Sequence, residues 1–197
     1  IFDNYLRHKK IVIHMKKLLL IVAIACGFSA QAQKSADPVA PFFPIDETSK
    51  LVTYTDVIQV PGVATDSLYN VAMAWMKIFY VSPSQAIKSQ NKEEGIIEIK
   101  HQFQITKTEK GQELKAGQIN YYLTLQFRDG RFKYTITKVN LQGPSYFGIE
   151  TWINDEKYAE DETIINYLIQ IDEFMQKLIT SLETEVKPAA PKKEEDW

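Results

Sequence analysis

Val-Ile-Gln-Val-Pro-Gly-Val-Ala-Thr-Asp-Ser-Leu-Tyr-Asn-Val-Ala-Met-Ala-Trp-Met-Lys-Ile-Phe-Tyr, residues 57–80, is the stretch on which the fold turns. It reads as the end of a strand, a Pro61-Gly62 turn, and an amphipathic helix with Leu68, Val71, Ala72, Trp75, Ile78 and Phe79 on one face. Thr65 is the expected N-cap, and Asp66 suits the positive end of the helix dipole. The helix should stop before Ser82-Pro83, because the residue preceding a proline is pushed out of the α region. Such a helix needs a sheet to cover its apolar side, and the residues downstream to 141 supply strands. The expected class is therefore α+β, a curved antiparallel sheet packed against helices.

Upstream, residues 52–60 alternate loosely and give a first strand, with Tyr54, Ile58 and Val60 on one side. Downstream, residues 86–91 make a weak second strand. The next is much clearer: Ile97, Ile99, His101, Phe103 and Ile105 alternate with Glu98, Lys100, Gln102 and Gln104, the pattern of a half-buried antiparallel strand. Residues 106–117 read as a polar, lysine-rich loop. Ile119, Tyr121, Leu123, Leu125 and Phe127 then alternate with polar residues up to Asp129-Gly130, a two-residue turn expected to take positive φ twice. That turn sets Arg128 opposite Arg131 and Phe127 opposite Phe132. Past Ile136 the alternation slips, and a β-bulge near Thr137 would return Val139 and Leu141 to the core. Residues 142–158 form a long connection. A second helix follows over 161–186, with Ile164, Leu168, Ile171, Met175, Leu178 and Leu182 at helical spacing.

The order strand, helix, four strands, helix resembles a known family. The resemblance lies in the Val60-Pro61-Gly62 turn running into Leu68-Tyr69 and Trp75, and in the hairpin Arg128-Asp129-Gly130-Arg131-Phe132-Lys133-Tyr134. These segments are similar to those of exported bacterial proteins of domain of unknown function 4468, and extend over about residues 54–141. The resemblance implies a TBP-like fold. It implies no activity and no catalytic residues, and TBP-like here means topology alone.

The N-terminal segment bears on where the protein works. Residues 1–14 lack an initiator methionine and read as an upstream extension. Met15-Lys16-Lys17, the apolar run 18–25 and Ala30-Gln31-Ala32 have the form of a signal peptide over 15–32. The expected localisation is export, to the periplasm or beyond, with cleavage after Ala32; the alternative is a lipoprotein acylated at Cys26. Removing residues 1–32 takes away the single cysteine and leaves 18 basic against 24 acidic residues, a net charge of −6. Such a chain is a poor partner for nucleic acid, and no later run is long enough to span a bilayer. Residues 33–50 read as an extended lead-in anchored by Phe42-Phe43, residues 51–187 as one domain, and residues 188–197 as a disordered tail.

No catalytic set emerges. His101 is the only histidine after the leader, and it has no visible carboxylate partner, so the expected reading is a core or sheet-edge histidine. One histidine without cysteine cannot supply the usual zinc ligands, and the acidic residues between 150 and 162 lack the spacing of a calcium loop. No metal and no cofactor are expected. Tyr146, Phe147 and Trp152 on the long connection could present a contact patch or seal the core, and Trp75 belongs to the helix–sheet core or to a ligand cleft. The functional expectation is a non-enzymatic envelope binding module whose partner is another envelope protein. The alternative is a carrier or sensor of a small apolar ligand held between sheet and helix, with a cavity near Trp75, Phe103 and Leu123.

Overall fold

The computed structural model describes residues 39–187. The expectations for residues 1–14, the leader 15–32 with Cys26, and the tail 188–197 lie outside the described residues. Nine regular elements and two short ones follow in order: β1 (Tyr54–Gln59), α1 (Thr65–Phe79), α2 (Pro83–Ala86), β2 (Ile87–Asn91), β3 (Ile96–Glu109), β4 (Gln112–Arg128), β5 (Arg131–Leu141), β6 (Phe147–Gly148), α3 (Glu150–Asn154), a 3-10 turn (Glu156–Tyr158) and α4 (Glu162–Glu185). The sheet is antiparallel with strand order β1-β5-β4-β3-β2, and β6 pairs with the end of β5. This is the α+β arrangement that the alternating strands demanded.

One face of the sheet is apolar. Ile97, Ile99, Ile119, Tyr121, Leu123, Leu125, Phe132 and Ile136 are all buried there, and the long helix α4 lays Leu168, Ile171, Met175, Leu178 and Leu182 against them. Polar tips tie the layers together. Trp75 Nε1 donates to Ser181 Oγ at 3.0 Å, Tyr121 OH to Tyr80 OH at 3.2 Å, and Tyr134 OH to Glu183 Oε1 at 3.2 Å. Each side chain thereby buries its ring while its polar tip keeps a hydrogen bond. Asp161 caps α4, its Oδ1 accepting from the Thr163 and Ile164 amides at 2.9 and 3.2 Å.

Several sequence expectations need correction. The stripe of α1 is rotated: Leu68, Tyr69, Ala72, Trp75 and Met76 are buried, while Ile78 is 79% exposed. Tyr69 wins its place because its ring meets Phe127 edge-on at 5.8 Å, a favourable aromatic geometry. Thr65 is not a side-chain cap. Its amide and hydroxyl both donate to Asp129 Oδ1 at 2.8 Å, so the hairpin turn supplies the acceptor from 64 residues away. That turn has the expected pairing of Arg128 with Arg131, yet only Gly130 takes positive φ, at 74°. Residues 106–117 are not a loop. β3 and β4 run on through them, past a register shift at Ile105/Thr106, to a Lys110-Gly111 turn with φ of 53° and 76°. In the lead-in only Phe43 is anchored, since Phe42 is 89% exposed, and the chain turns back at Asp46 to bridge Ile45 with Val52.

The turn between β4 and β5 is cross-tied to its neighbours. Val60 N donates to the Gly130 carbonyl, Gly130 N to that of Val63, and Phe127 N to that of Gly95, each at 2.8 Å. Gly95 has φ of 65°, and a Cβ there would lie 2.7 Å from the Phe127 carbonyl oxygen. Only glycine fits both constraints.

Candidate functional site

The second face of the sheet carries no helix in the strand pairing and packing described above, and its outward positions are polar. Near the end of β5 the ladder breaks: Asn120 pairs with Asn140 and Tyr122 with Thr137, leaving Lys138 and Val139 opposite one residue of β4. This is the expected bulge, centred one residue later. Val139 becomes buried and Leu141 packs at the core's margin. Lys138 takes φ of 54°, the left-handed region, at a cost of about 1–2 kcal/mol for an L-residue. A bulge of this kind re-aims a side chain. Here it brings Lys138 Nζ to 5.4 Å from the centre of the Tyr122 ring.

Two side-chain amides hold that backbone. Asn140, the single polar residue among the buried set, donates from Nδ2 to the Lys138 carbonyl at 2.6 Å, and Asn120 Nδ2 donates to Asn140 Oδ1 at 3.2 Å. On the other side of Tyr122, its cross-strand partner Lys100 places Nζ 5.7 Å from the ring, as does Lys88 of β2. Three ammonium groups thus lie within about 6 Å of the centre of one aromatic ring, at cation–π distance. Lys88 is paired with Glu98 at 3.6 Å, and Ser89 Oγ also donates to that carboxylate at 2.7 Å; both partners hold Glu98 below its ordinary range, the serine foremost. Lys100 and Lys138 form no ion pair among the described residues.

These residues line an open groove of about 480 Å³, walled by the loop 143–146. Tyr146, 57% exposed, stands on that wall. Burial and then the charge of Glu150 push its hydroxyl above the ordinary phenol range. Gly148 makes the approach possible, because a Cβ there would collide with the Glu150 carboxylate and lie 3.2 Å from the Tyr146 ring.

The three loop aromatics singled out in the sequence therefore part company. Trp152 is 6% exposed, and its ring lies 5.7 Å from Phe147 and 5.9 Å from Tyr167, so this pair closes the core beneath β6. Trp75 is buried between α1 and α4. His101 is half-buried at the edge of the sheet, its ring against Tyr80 at 4.8 Å; its Nδ1 has no hydrogen-bond partner, and burial lowers its affinity for a proton. It lines a shallow cleft with Ser82, Gln85, Lys100 and Asn120 and makes no hydrogen bond to any of them, and the described residues hold no cluster of three or more potential metal ligands. Where the apolar-carrier alternative expects a cavity, Phe174 of α4 stacks on Phe103 at 3.8 Å and lies 5.6 Å from Tyr121.

Lys100, Asn120, Tyr122, Lys138 and Asn140 were missed as site residues by sequence reasoning. As outward positions of strands they read as solvated. The available signal was the bulge: once it is placed, Lys138 turns outward beside the position opposite Tyr122.

Comparison with known proteins agrees with this fold. Residues 54–142 match the family model described as a domain of unknown function (DUF4468) with TBP-like fold. This segment belongs to the DUF4468 family. Among solved structures, a DUF4468 family protein from Bacteroides ovatus is 14% identical, with a TM-score of 0.58 over 75% of this chain and 92% of that one. A TBP-like protein from Parabacteroides distasonis, also 14% identical, gives 0.52 over 72% of this chain and 97% of that one. At this identity the likeness speaks for the fold. No curated protein matches the chain. The DUF4468 segment contains Lys100, Asn120, Tyr122, Lys138 and Asn140, while Tyr146 and α4 lie beyond it.

Proposed function

We propose that this protein is a non-enzymatic binding module of the cell envelope, and that its contact surface is the open face of the sheet at the Tyr122 groove. The observation that carries the reading is the bulge: a lysine held in left-handed conformation, fixed by a buried asparagine and aimed into a groove. Backbone strain that the surroundings must hold in place is a mark of sites kept for function. The leader pattern of residues 15–32 supports export. No helix among the described residues is long and apolar enough to cross a membrane.

Native mass spectrometry of the protein purified undenatured from its own cell envelope tests this reading. The expected spectrum has a reproducible added mass that Tyr146→Ala or Lys138→Gly removes, on a chain beginning at Gln33 or at an acylated Cys26. A bare mass in the wild-type protein, with no envelope protein crosslinked through the groove, would overturn the binding reading. A chain that retained residues 15–32 would overturn export.

A further inference from the structure

We infer that the Tyr122 groove is a site for an acidic saccharide, a hydroxyl-rich ring bearing a carboxylate. This deepens the binding reading above and rests on it. The charge comes first. Lys100 of β3 and Lys138 of β5 approach the Tyr122 ring from the two strands either side of β4 and have no acidic partner among the described residues, so the groove offers an anion two unpaired ammonium groups. Both are lysines. An ammonium is a mobile point charge that meets an anionic oxygen one contact at a time, without the planar fork by which arginine grips a carboxylate or phosphate at two points.

The neutral chemistry of the groove narrows the ligand further. The hydroxyls of Tyr122 and Tyr146 and the Oδ1 of Asn120 have no hydrogen-bond partner among the described residues. These groups can exchange hydrogen bonds with several ligand hydroxyls. The two tyrosine rings supply flat apolar surface for the C–H face of a sugar, while the ammonium and amide groups of Lys100, Lys138 and Asn120 in the same open groove offer polar partners that a hydrocarbon could not use. Its volume of about 480 Å³ falls in the range of small-molecule sites, about 300–1,000 Å³. The arrangement holds a carboxylate between Lys100 and Lys138, with the ring beside Tyr122 and its hydroxyls toward Asn120 and Tyr146.

The test is calorimetric titration of the purified residues 33–197 with trigalacturonic acid, with neutral galactotriose, and with a single-stranded DNA oligonucleotide. Trigalacturonic acid should bind, and galactotriose at least about tenfold more weakly, since a charge-assisted hydrogen bond is lost. Lys138→Gly should weaken the acidic ligand by about the same factor; glycine tolerates φ of 54°, so the bulge survives, and an unchanged circular dichroism spectrum verifies it. Equal binding of the neutral and acidic sugars, an unaffected Lys138→Gly variant, or DNA binding as tight as the saccharide would overturn the inference. If trigalacturonic acid fails while the mass carried by the envelope-purified protein still vanishes in Lys138→Gly, the acidic-saccharide inference falls and the groove stands. If that mass is indifferent to Lys138 and Tyr146, both fall.

Discussion

Truncating Phe174 to alanine is expected to lower stability by about 3 kcal/mol while leaving the protein folded. Phe-to-Ala changes in cores cost about 3–5 kcal/mol, combining lost transfer free energy with the cavity left behind. Phe174 is only half-buried, which favours the lower part of that range. Its ring nevertheless stacks on Phe103 at 3.8 Å and touches Tyr121 and Phe79, and an aromatic pair adds about 0.5–1.5 kcal/mol beyond burial. A domain of this size has a stability of about 5–15 kcal/mol, so the variant keeps a folded majority. Urea unfolding followed by fluorescence gives the reading. With a slope of about 2 kcal/mol per molar, the midpoint should drop by about 1.5 M at unchanged slope. Phe174→Leu, which keeps most of the volume, should lose about 1 kcal/mol. A loss under about 1 kcal/mol, or benzene uptake by the wild-type protein at this place, would refute the packing argument and revive the apolar-carrier alternative.

Gly95→Ala should cost about 2 kcal/mol or more, since φ of 65° opposes any Cβ and the Phe127 carbonyl oxygen lies 2.7 Å from its position; thermal unfolding reads it, and a neutral result would mean the loop moves freely. Asp161→Ala should remove about 1 kcal/mol by freeing the Thr163 and Ile164 amides, with Asp161→Asn losing much less. Equal losses in the two variants would point to charge instead of capping. His101 has a folded-state proton affinity below its ordinary value of 6.5, because it is partly buried against Tyr80 and Tyr121. Its contribution is therefore fully present above that value and is lost as pH falls through the lower folded value, where the unfolded chain binds the extra proton. His101→Gln should flatten the stability profile just below pH 6.5, and an unchanged slope would exclude this histidine as its source.

Much of the architecture was legible because its determinants are local. The α4 stripe from Ile164 to Leu182 needed no partner to be recognised, and the Asp129-Gly130 turn carried its own register. The bulge showed itself where Lys138 and Asn140 would otherwise have pointed inward. Residues 106–117 failed for a physical reason: this part of the hairpin is polar on both faces, so period-two alternation vanishes although the backbone ladder continues. The stripe of α1 was misjudged because Ile78 and Tyr69 compete, and only the position of Phe127 decides between them. The groove was the least legible part. Its members come from three strands and a loop, and what joins them is the outward turn of one bulged lysine.

The ties around the Asp129-Gly130 turn bear on the order in which the molecule comes apart. They fasten the start of α1 to a hairpin more than sixty residues away in sequence, and the loop before β3 to the same hairpin. The groove lies toward the opposite end of the same strands and takes no residue from α1. Fraying of the first turn of α1 therefore breaks the Asp129 ties without disturbing Lys138 or its asparagine clamp. In hydrogen exchange the Thr65 amide should open at lower free energy than the amides of Tyr122 and Lys138, and simultaneous opening would show a single cooperative unit instead. The start of α1 and the Tyr122 groove then sit at separately breathing ends of one sheet, so sequence drift at the tied end can loosen the helix while the groove keeps its form.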